Sequence, residues 1–306
     1  MPELPEVTVI VNQLDKKLRG LILESIEYDW PKKFFWGGFS TRDLKGKRVE
    51  NVERIGKIVS INISKRLTIL IHLKLTGQLI YEYQDKQSLR SSSFDELRTA
   101  GLKKTRIAGG HPIPPLNLAV PNKTTRVTFT FTNGGHLYFN DMRKFGWVKI
   151  VESEESKIKE AIGAEFGPDP LVMSYREFCE RLVKKGQARI KKMLMDQKFV
   201  SGIGNIYSDE ALWRAKIHPK RSVASLSQAE IRALYDGIRQ SLKLAIAKGG
   251  SSANAYVDSG GERGLYLSFA KAYHMTGKPC ARCKTPIVRE KMDGRSAHFC
   301  PACQKL

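Results

Sequence analysis

Pro2 and Glu3 are the residues whose types and placement could do chemistry before any fold is known. Removal of Met1, which a small second residue permits, would leave Pro2 with a secondary amine at the terminus of the chain. An α-amino group has a pKa of about 8 against ~10.4 for lysine, so part of it is neutral and nucleophilic near pH 7 without burial. A secondary amine attacking the anomeric carbon of a sugar gives an iminium ion that cannot lose its charge by deprotonation. That cation acidifies the neighbouring sugar hydrogen, so base loss can be followed by elimination and strand scission when an adjacent group, here Glu3, shuttles protons. The same pair also suits the start of a helix, where proline is favoured at the first position.

A second constellation closes the chain. Cys280-Ala-Arg-Cys283 and Cys300-Pro-Ala-Cys303 have the two-pair spacing of a four-thiolate zinc site. Four cysteines leave no open coordination position, which predicts one structural Zn2+ per chain and no metal chemistry. Pro286 to Val288, followed by Asp293-Gly294, predicts a hairpin joining the pairs. It would carry Lys291 and Arg295, cations suited to phosphate contact. The fifth cysteine, Cys179, lies in a helical pattern beside Phe178 and Leu182 and reads as a small buried residue.

The elements that must position these groups fall into two kinds. Leu4, Val7, Val11, Leu14 and Leu18 predict one opening helix, bounded by Pro5 and Gly20. From 21 to 151 short alternating runs predict strands at 22–28, 57–63, 67–73, 78–83, 126–132 and 136–140, with Asn133-Gly134-Gly135 as a hairpin turn. Residues 84–124, charged and rich in Pro and Gly, read as an insertion. Helical periods follow at 154–163, 174–185, 189–198, 204–215 and 227–248, the last opened by Ser227 and Glu230 as a capping box. Residues 249–264, rich in Gly and Ser, read as a loop. The fold class expected is α+β: an antiparallel β-sandwich with flanking helices over 1–151, a helical domain over 152–272 and a zinc finger over 273–306.

Charge narrows the partners. The 306 residues carry 52 Lys and Arg against 31 Asp and Glu, a net charge of +21, so a polyanion is implied. No stretch reaches the ~18 apolar residues of a membrane span, and the N-terminus lacks a signal-peptide pattern, so a cytoplasmic protein without a membrane partner is expected. No heptad or obvious pairing strand is present, which favours a monomer.

Met-Pro2-Glu3-Leu4-Pro5-Glu6-Val7, Arg54-Ile-Gly-Lys57, Asn140-Asp-Met-Arg143-Lys-Phe145-Gly146, Gly202-Ile-Gly-Asn205-Ile-Tyr207, Gly249-Gly-Ser-Ser252 and Gly294-Arg295 occur in one order. Together with the zinc spacing, this resembles the formamidopyrimidine-DNA glycosylases from Pro2 to Gln304, the insertion apart. The resemblance implies a bifunctional base-excision repair enzyme acting on double-stranded DNA with a damaged base. Pro2 would form the Schiff base with deoxyribose, Glu3 would donate the proton in base release, and Lys57 would donate in β-elimination. Arg295 would grip phosphate and serve the δ-elimination step, electrostatically given its high pKa. Extruding the target base needs a wedge to fill the hole, and Arg143 and Phe145 match it, placed by alternation on one face of a strand entering Gly146. Leu75 stands where the family's third wedge residue, usually Met, is found. The turn 202–205 is like the family's helix-two-turns-helix element, with Asn205 binding phosphate. Lys185, Lys191 and the neighbouring Lys184, Arg189 and Lys192 would supply a basic surface.

The chain departs from the family at Thr124 and Arg126, where a His pair is common, at Ser268, where Gln is usual, and in the length of 84–123. Leu4 and the 249–264 loop favour the branch acting on oxidised purines, 8-oxoguanine and formamidopyrimidines. The alternatives are an endonuclease VIII-like enzyme for oxidised pyrimidines and a non-catalytic zinc-finger damage-binding protein.

Overall fold

The structure, a computed structural model, describes residues 2–64, 66–84, 104–110, 119–163, 166–251 and 264–306. Most of the loop at 249–264 and much of the insertion at 84–124 therefore lie outside the described residues. The chain groups into two compact units, one built mainly from residues 6–161 and the other from 3–5, 162–253 and 264–306.

In the first unit, helix α1 (Leu4–Leu18) is followed by two five-stranded sheets. One sheet runs β1 (Leu23–Tyr28), β8 (Thr125–Phe131), β9 (His136–Asp141), β6 (Gly77–Gln84), β7 (Lys104–Gly110). The other runs β2 (Phe34–Phe35), β10 (Trp147–Glu152), β5 (Leu67–His72), β4 (Ile58–Ile63), β3 (Val49–Ile55). A four-residue helix α2 (Thr41–Leu44) and a helix α3 (Glu155–Ile162) complete the unit. Inward residues of both sheets, such as Ile69, Ile71, Leu79 and Phe129, share one core with Val7, Ile10, Leu14 and Leu18 of α1. Each such side chain contributes roughly 1.5–3 kcal/mol on leaving water, so α1 is fixed against the sandwich by a continuous apolar stripe.

Four strands escape the sequence pattern. In β3, Val49 and Val52 are both buried although three residues apart, as on a helix, because a bulge between Val49 and Asn51 resets the register against β4. β10 pairs with β5 from Trp147↔His72 to Glu152↔Leu67 and was hidden by its mixed composition. β2 is only two residues long. The expected insertion contributes β7, which pairs with β6 along seven residues. Conversely, Arg143 and Phe145 are not on a strand: β9 ends at Asp141, and 142–146 is a loop in which Lys144 takes φ +55°.

The second unit holds α4 (Tyr175–Val183), α5 (Ile190–Leu194), α6 (Asn205–Ala215) and α7 (Gln228–Ala247), then a hairpin of β11 (Val288–Met292) and β12 (Arg295–Phe299). Ser227 and Glu230 form the expected capping box of α7. The helix expected over 189–198 stops at Leu194. Asp196 folds the next residues into a turn, its carboxylate accepting from Lys198 N–H and its carbonyl from Phe199 N–H. α6 is buried along nearly its whole length, packing on α7 and the cysteine module.

Candidate active site

Glu3 is held as an anion would be held. Its carboxylate accepts backbone N–H bonds from Gly204 at 2.8 Å, Ile206 at 3.1 Å and Tyr207 at 3.4 Å, the donors left unsatisfied at the start of α6. Leu4 N–H donates to Gly202 O at 2.9 Å, pinning the same peptide to the turn before α6. Three donors at a helix start stabilise the charged form of a carboxylate and fix Glu3 in place. Pro2, peptide-bonded to it, is buried, as is Glu3 itself.

Gly204 makes this contact possible, because a Cβ there would lie 2.4 Å from the Glu3 carboxyl carbon. Gly204→Ala is therefore expected to displace Glu3 and lower kcat by about 10²-fold, the scale of one acid–base group. Zinc content and far-UV circular dichroism should stay unchanged. Full activity in the variant would mean that Glu3 need not sit on this helix end.

Asn205 opens α6, and its amide oxygen is buried without a partner among the described residues. The two ends of a carboxamide exchange by a flip of the side chain. Flipped, its NH2 would occupy that buried position.

Lys191, expected on a basic surface, is instead buried. Its ammonium donates to Asp209 Oδ1 at 2.5 Å and to Ser296 O at 2.7 Å. Burial presses its pKa below the ordinary lysine value, while the Asp209 carboxylate pulls the other way. Asp209 Oδ2 also accepts from His298 N–H at 3.0 Å and lies 2.9 Å from His298 Nδ1, so Lys191 and β12 share one buried carboxylate. Removing one partner would strand a charge at a cost of about 3–5 kcal/mol. Lys185 does stand out to solvent, 3.5 Å from Asp196. It lines an open cleft of about 680 Å3 with Arg189, Lys192, Met193, Met292 and Arg295. Arg295 is exposed at the first position of β12, beside the Asp293-Gly294 turn.

The four cysteines are gathered as one tetrahedral ligand set. The four Sγ atoms of Cys280, Cys283, Cys300 and Cys303 lie within 4.8 Å of one another, as Zn–S bonds of about 2.3 Å in a tetrahedron require. Trp213 of α6 donates its indole N–H to Cys280 Sγ at 3.4 Å, tying the site to the helix that binds Glu3.

In the first unit, Lys57 is buried in the turn before β4, next to the Ile58↔His72 pair. His72 is buried, its Nδ1 accepting from Lys74 N–H at 3.0 Å. Burial, with the charges of Lys74 and Lys57, pushes its pKa from 6.5 to about 3. The unfolded chain then binds the extra proton, so this contribution to stability is whole above about pH 6.5 and drains away as pH falls toward 3. Urea unfolding at pH 7.5 and 4.5 is expected to show a loss of about 3 kcal/mol that His72→Asn removes. Equal pH dependence in the two proteins would refute this assignment.

The loop 142–146 is organised by Asp141. Its carboxylate accepts from the Thr76 hydroxyl at 2.5 Å, Arg143 N–H at 3.2 Å and Gly146 N–H at 2.7 Å. The Arg143 guanidinium lies 4.9 Å from the centre of the exposed Phe145 ring. Leu75, in the turn tied to this loop by Thr76, is half-buried. Arg126 is turned inward to Asp29, Asp141 O and Lys123 O, so the departure at that position serves structure.

Sequence reasoning missed Asp141, Asp209 and Glu210. Glu210 accepts from the N–H groups of Lys271, Ala272 and Tyr273, with burial raising its pKa. Two adjacent acids amid the apolar residues Ile206, Tyr207, Ala211, Leu212 and Trp213 were the available sign.

Comparison with known proteins agrees with this architecture. Residues 1–148 match the formamidopyrimidine-DNA glycosylase N-terminal domain, 166–256 the formamidopyrimidine-DNA glycosylase H2TH domain, and 277–306 the zinc finger found in FPG and IleRS. The chain is 36% identical over 309 residues to the formamidopyrimidine-DNA glycosylase of Pelotomaculum thermopropionicum, covering all of both chains. The enzyme of that name from Heliobacterium modesticaldum is also 36% identical, again over all of both chains. Among solved structures, the wild-type Lactococcus lactis Fpg (MutM) complex with N7-benzyl-Fapy-dG DNA superposes with a TM-score of 0.79 at 30% identity, covering all of both chains. A MutM complex with carbocyclic 8-oxo-G DNA gives 0.78, also at 30% and over both chains in full. The β-sandwich, the helical unit and the four-cysteine finger define a three-part base-excision enzyme architecture. The chain belongs to the formamidopyrimidine-DNA glycosylase family.

Proposed function

We propose that the chain is a base-excision repair DNA glycosylase and AP lyase that removes oxidised purines, 8-oxoguanine and formamidopyrimidines, from double-stranded DNA. The observation that carries the mechanism is the anchoring of Glu3, next to Pro2, by three N–H groups. With Met1 removed, the Pro2 nitrogen gives its proton to Glu3 and attacks C1′ of the extruded nucleotide. The base leaves with a proton returned by Glu3; the remaining proton on the nitrogen then passes through Glu3 to O4′, and the C1′–O4′ bond breaks as the nitrogen lone pair forms the iminium. Loss of a C2′ proton then expels the 3′ phosphate, with Lys57 supplying a proton in this β-elimination. Arg295 stabilises phosphate in the δ-elimination that follows, and hydrolysis frees the enzyme.

Arg143 and Phe145 fill the hole left by the base, with Leu75 beside them, while Asn205 and Lys185 hold phosphates. Lys191 serves by fixing Asp209 and β12. The zinc held by the four cysteines is structural: it keeps Arg295 on a rigid hairpin. No helix among the described residues is long and apolar enough to cross a membrane. We place the protein as a monomer in the cytoplasm with the nucleoid.

A panel of duplexes carrying 8-oxoguanine, a formamidopyrimidine or thymine glycol tests the substrate class. Excision of the two purines should exceed that of thymine glycol by at least about tenfold, one decade being ~1.4 kcal/mol of discrimination. Excision of thymine glycol alone would move the protein to the oxidised-pyrimidine branch.

A further inference from the structure

Two large apolar side chains face solvent three positions apart in the loop after β9: Met142 is 51% exposed and Phe145 46%. The backbone beneath them is fixed. The Thr76 hydroxyl, one residue past Leu75, donates to Asp141 and accepts Arg143 N–H at 3.1 Å, so the turn 74–76 and the loop 142–146 are clasped there. Gly146 N–H closes the loop on Asp141, and Lys144 is held with its ammonium 4.2 Å from the centre of the Trp30 ring. The exposure of Met142 is therefore built into a braced loop. An apolar tip standing in water marks a contact surface.

The surroundings state what covers it. Lys74, Arg143 and Lys144 flank the tip in a chain of net charge +21. Cations in the same turn and loop as an apolar tip match a polyanion with an apolar interior, which is duplex DNA with its stacked bases. We infer that Met142 is a further DNA-contacting residue that enters the duplex with Phe145 and adds a third apolar side chain to the tip formed with Leu75. The inference rests on the proposed wedge role of Arg143 and Phe145 and extends it. Leu75 is half-buried and branched, whereas the unbranched thioether of Met142 can follow the shape of the opened base step.

The test uses the full protein and a duplex with a tetrahydrofuran abasic analogue and 2-aminopurine in the opposite strand next to the gap. Met142→Ala and Met142→Gln are expected to weaken duplex binding about tenfold and to lower the 2-aminopurine signal of unstacking, while Met142→Leu retains both. Affinity for single-stranded DNA should be the same for all, because no stack is opened. Binding and fluorescence of Met142→Ala and Met142→Gln within about twofold of the parent would overturn the inference. Phe145→Ala, measured alongside, separates the two layers. If it loses binding while the Met142 variants do not, only the role of Met142 fails; if none of them does, the wedge reading fails too.

Discussion

Borohydride added during the reaction is expected to join the protein covalently to a duplex carrying 8-oxoguanine, through a reduced bond between the Pro2 nitrogen and C1′. Insertion of one residue between Met1 and Pro2 should bring that adduct below detection. The physical reason is that a proline inside the chain has an amide nitrogen, whose lone pair is delocalised into the carbonyl and cannot attack. Pro2→Gly should keep a fraction of the activity, since a primary amine also adds to C1′ but gives an imine that can lose its proton and much of its electron demand. Intact mass should show Met1 removed in the active protein. A persistent crosslink in the extended protein would locate the nucleophile elsewhere, Lys57 being the first candidate. Glu3→Gln offers a complementary reading: it keeps a side chain of the same shape at the start of α6 and removes the proton acceptor. Base release should then fall while trapping on a preformed abasic site falls less.

How far the site could be read without coordinates depends on whether local pattern or distant contact decided each residue. The cysteine pairs, the capping box at Ser227 and the hairpin turn at Asn133-Gly134 are local, and the structure has them where the spacing puts them. The bulged strand β3 was illegible because one extra residue puts Val49 and Val52, three apart, on the same buried face. The loop of Arg143 and Phe145 mimicked a strand for a related reason. Its alternation is real, but Asp141 captures the backbone N–H groups that a neighbouring strand would otherwise need. Lys191 misled most. A run of cations looks solvated from the sequence, and its true partner, Asp209, is 18 residues away on another helix. Nothing in the local sequence marks which lysine of a cluster is drawn inward. The acid pair Asp209-Glu210 in α6, beside Ile206, Ala211 and Leu212, would have raised the question of where their counter-groups lie.

Withdrawal of zinc is expected to have an effect as large as the loss of Pro2, by a different route. The β11–β12 hairpin owes its order to the four thiolates, and small zinc modules draw roughly 10–16 kcal/mol of apparent folding free energy from the metal. A strong chelator, or Cys283→Ser, should therefore unlock β12. His298 N–H would then lose its bond to Asp209, and Lys191 its bond to Ser296 O. Hydrogen exchange should report this locally, with His298 and its neighbours losing protection while the amides of α7 keep theirs, since α7 packs in a separate apolar cluster. Arg295 would no longer be held at the head of β12. Affinity for abasic-site DNA should then fall about 10²-fold, the scale of removing one charge-assisted phosphate hydrogen bond and disturbing those beside it. Readdition of zinc to the chelated protein should restore both. If the metal-free protein keeps its protection at His298 and its affinity for DNA, the hairpin is held by the Asp209 network and Trp213 alone. The metal would then have no part in placing Arg295.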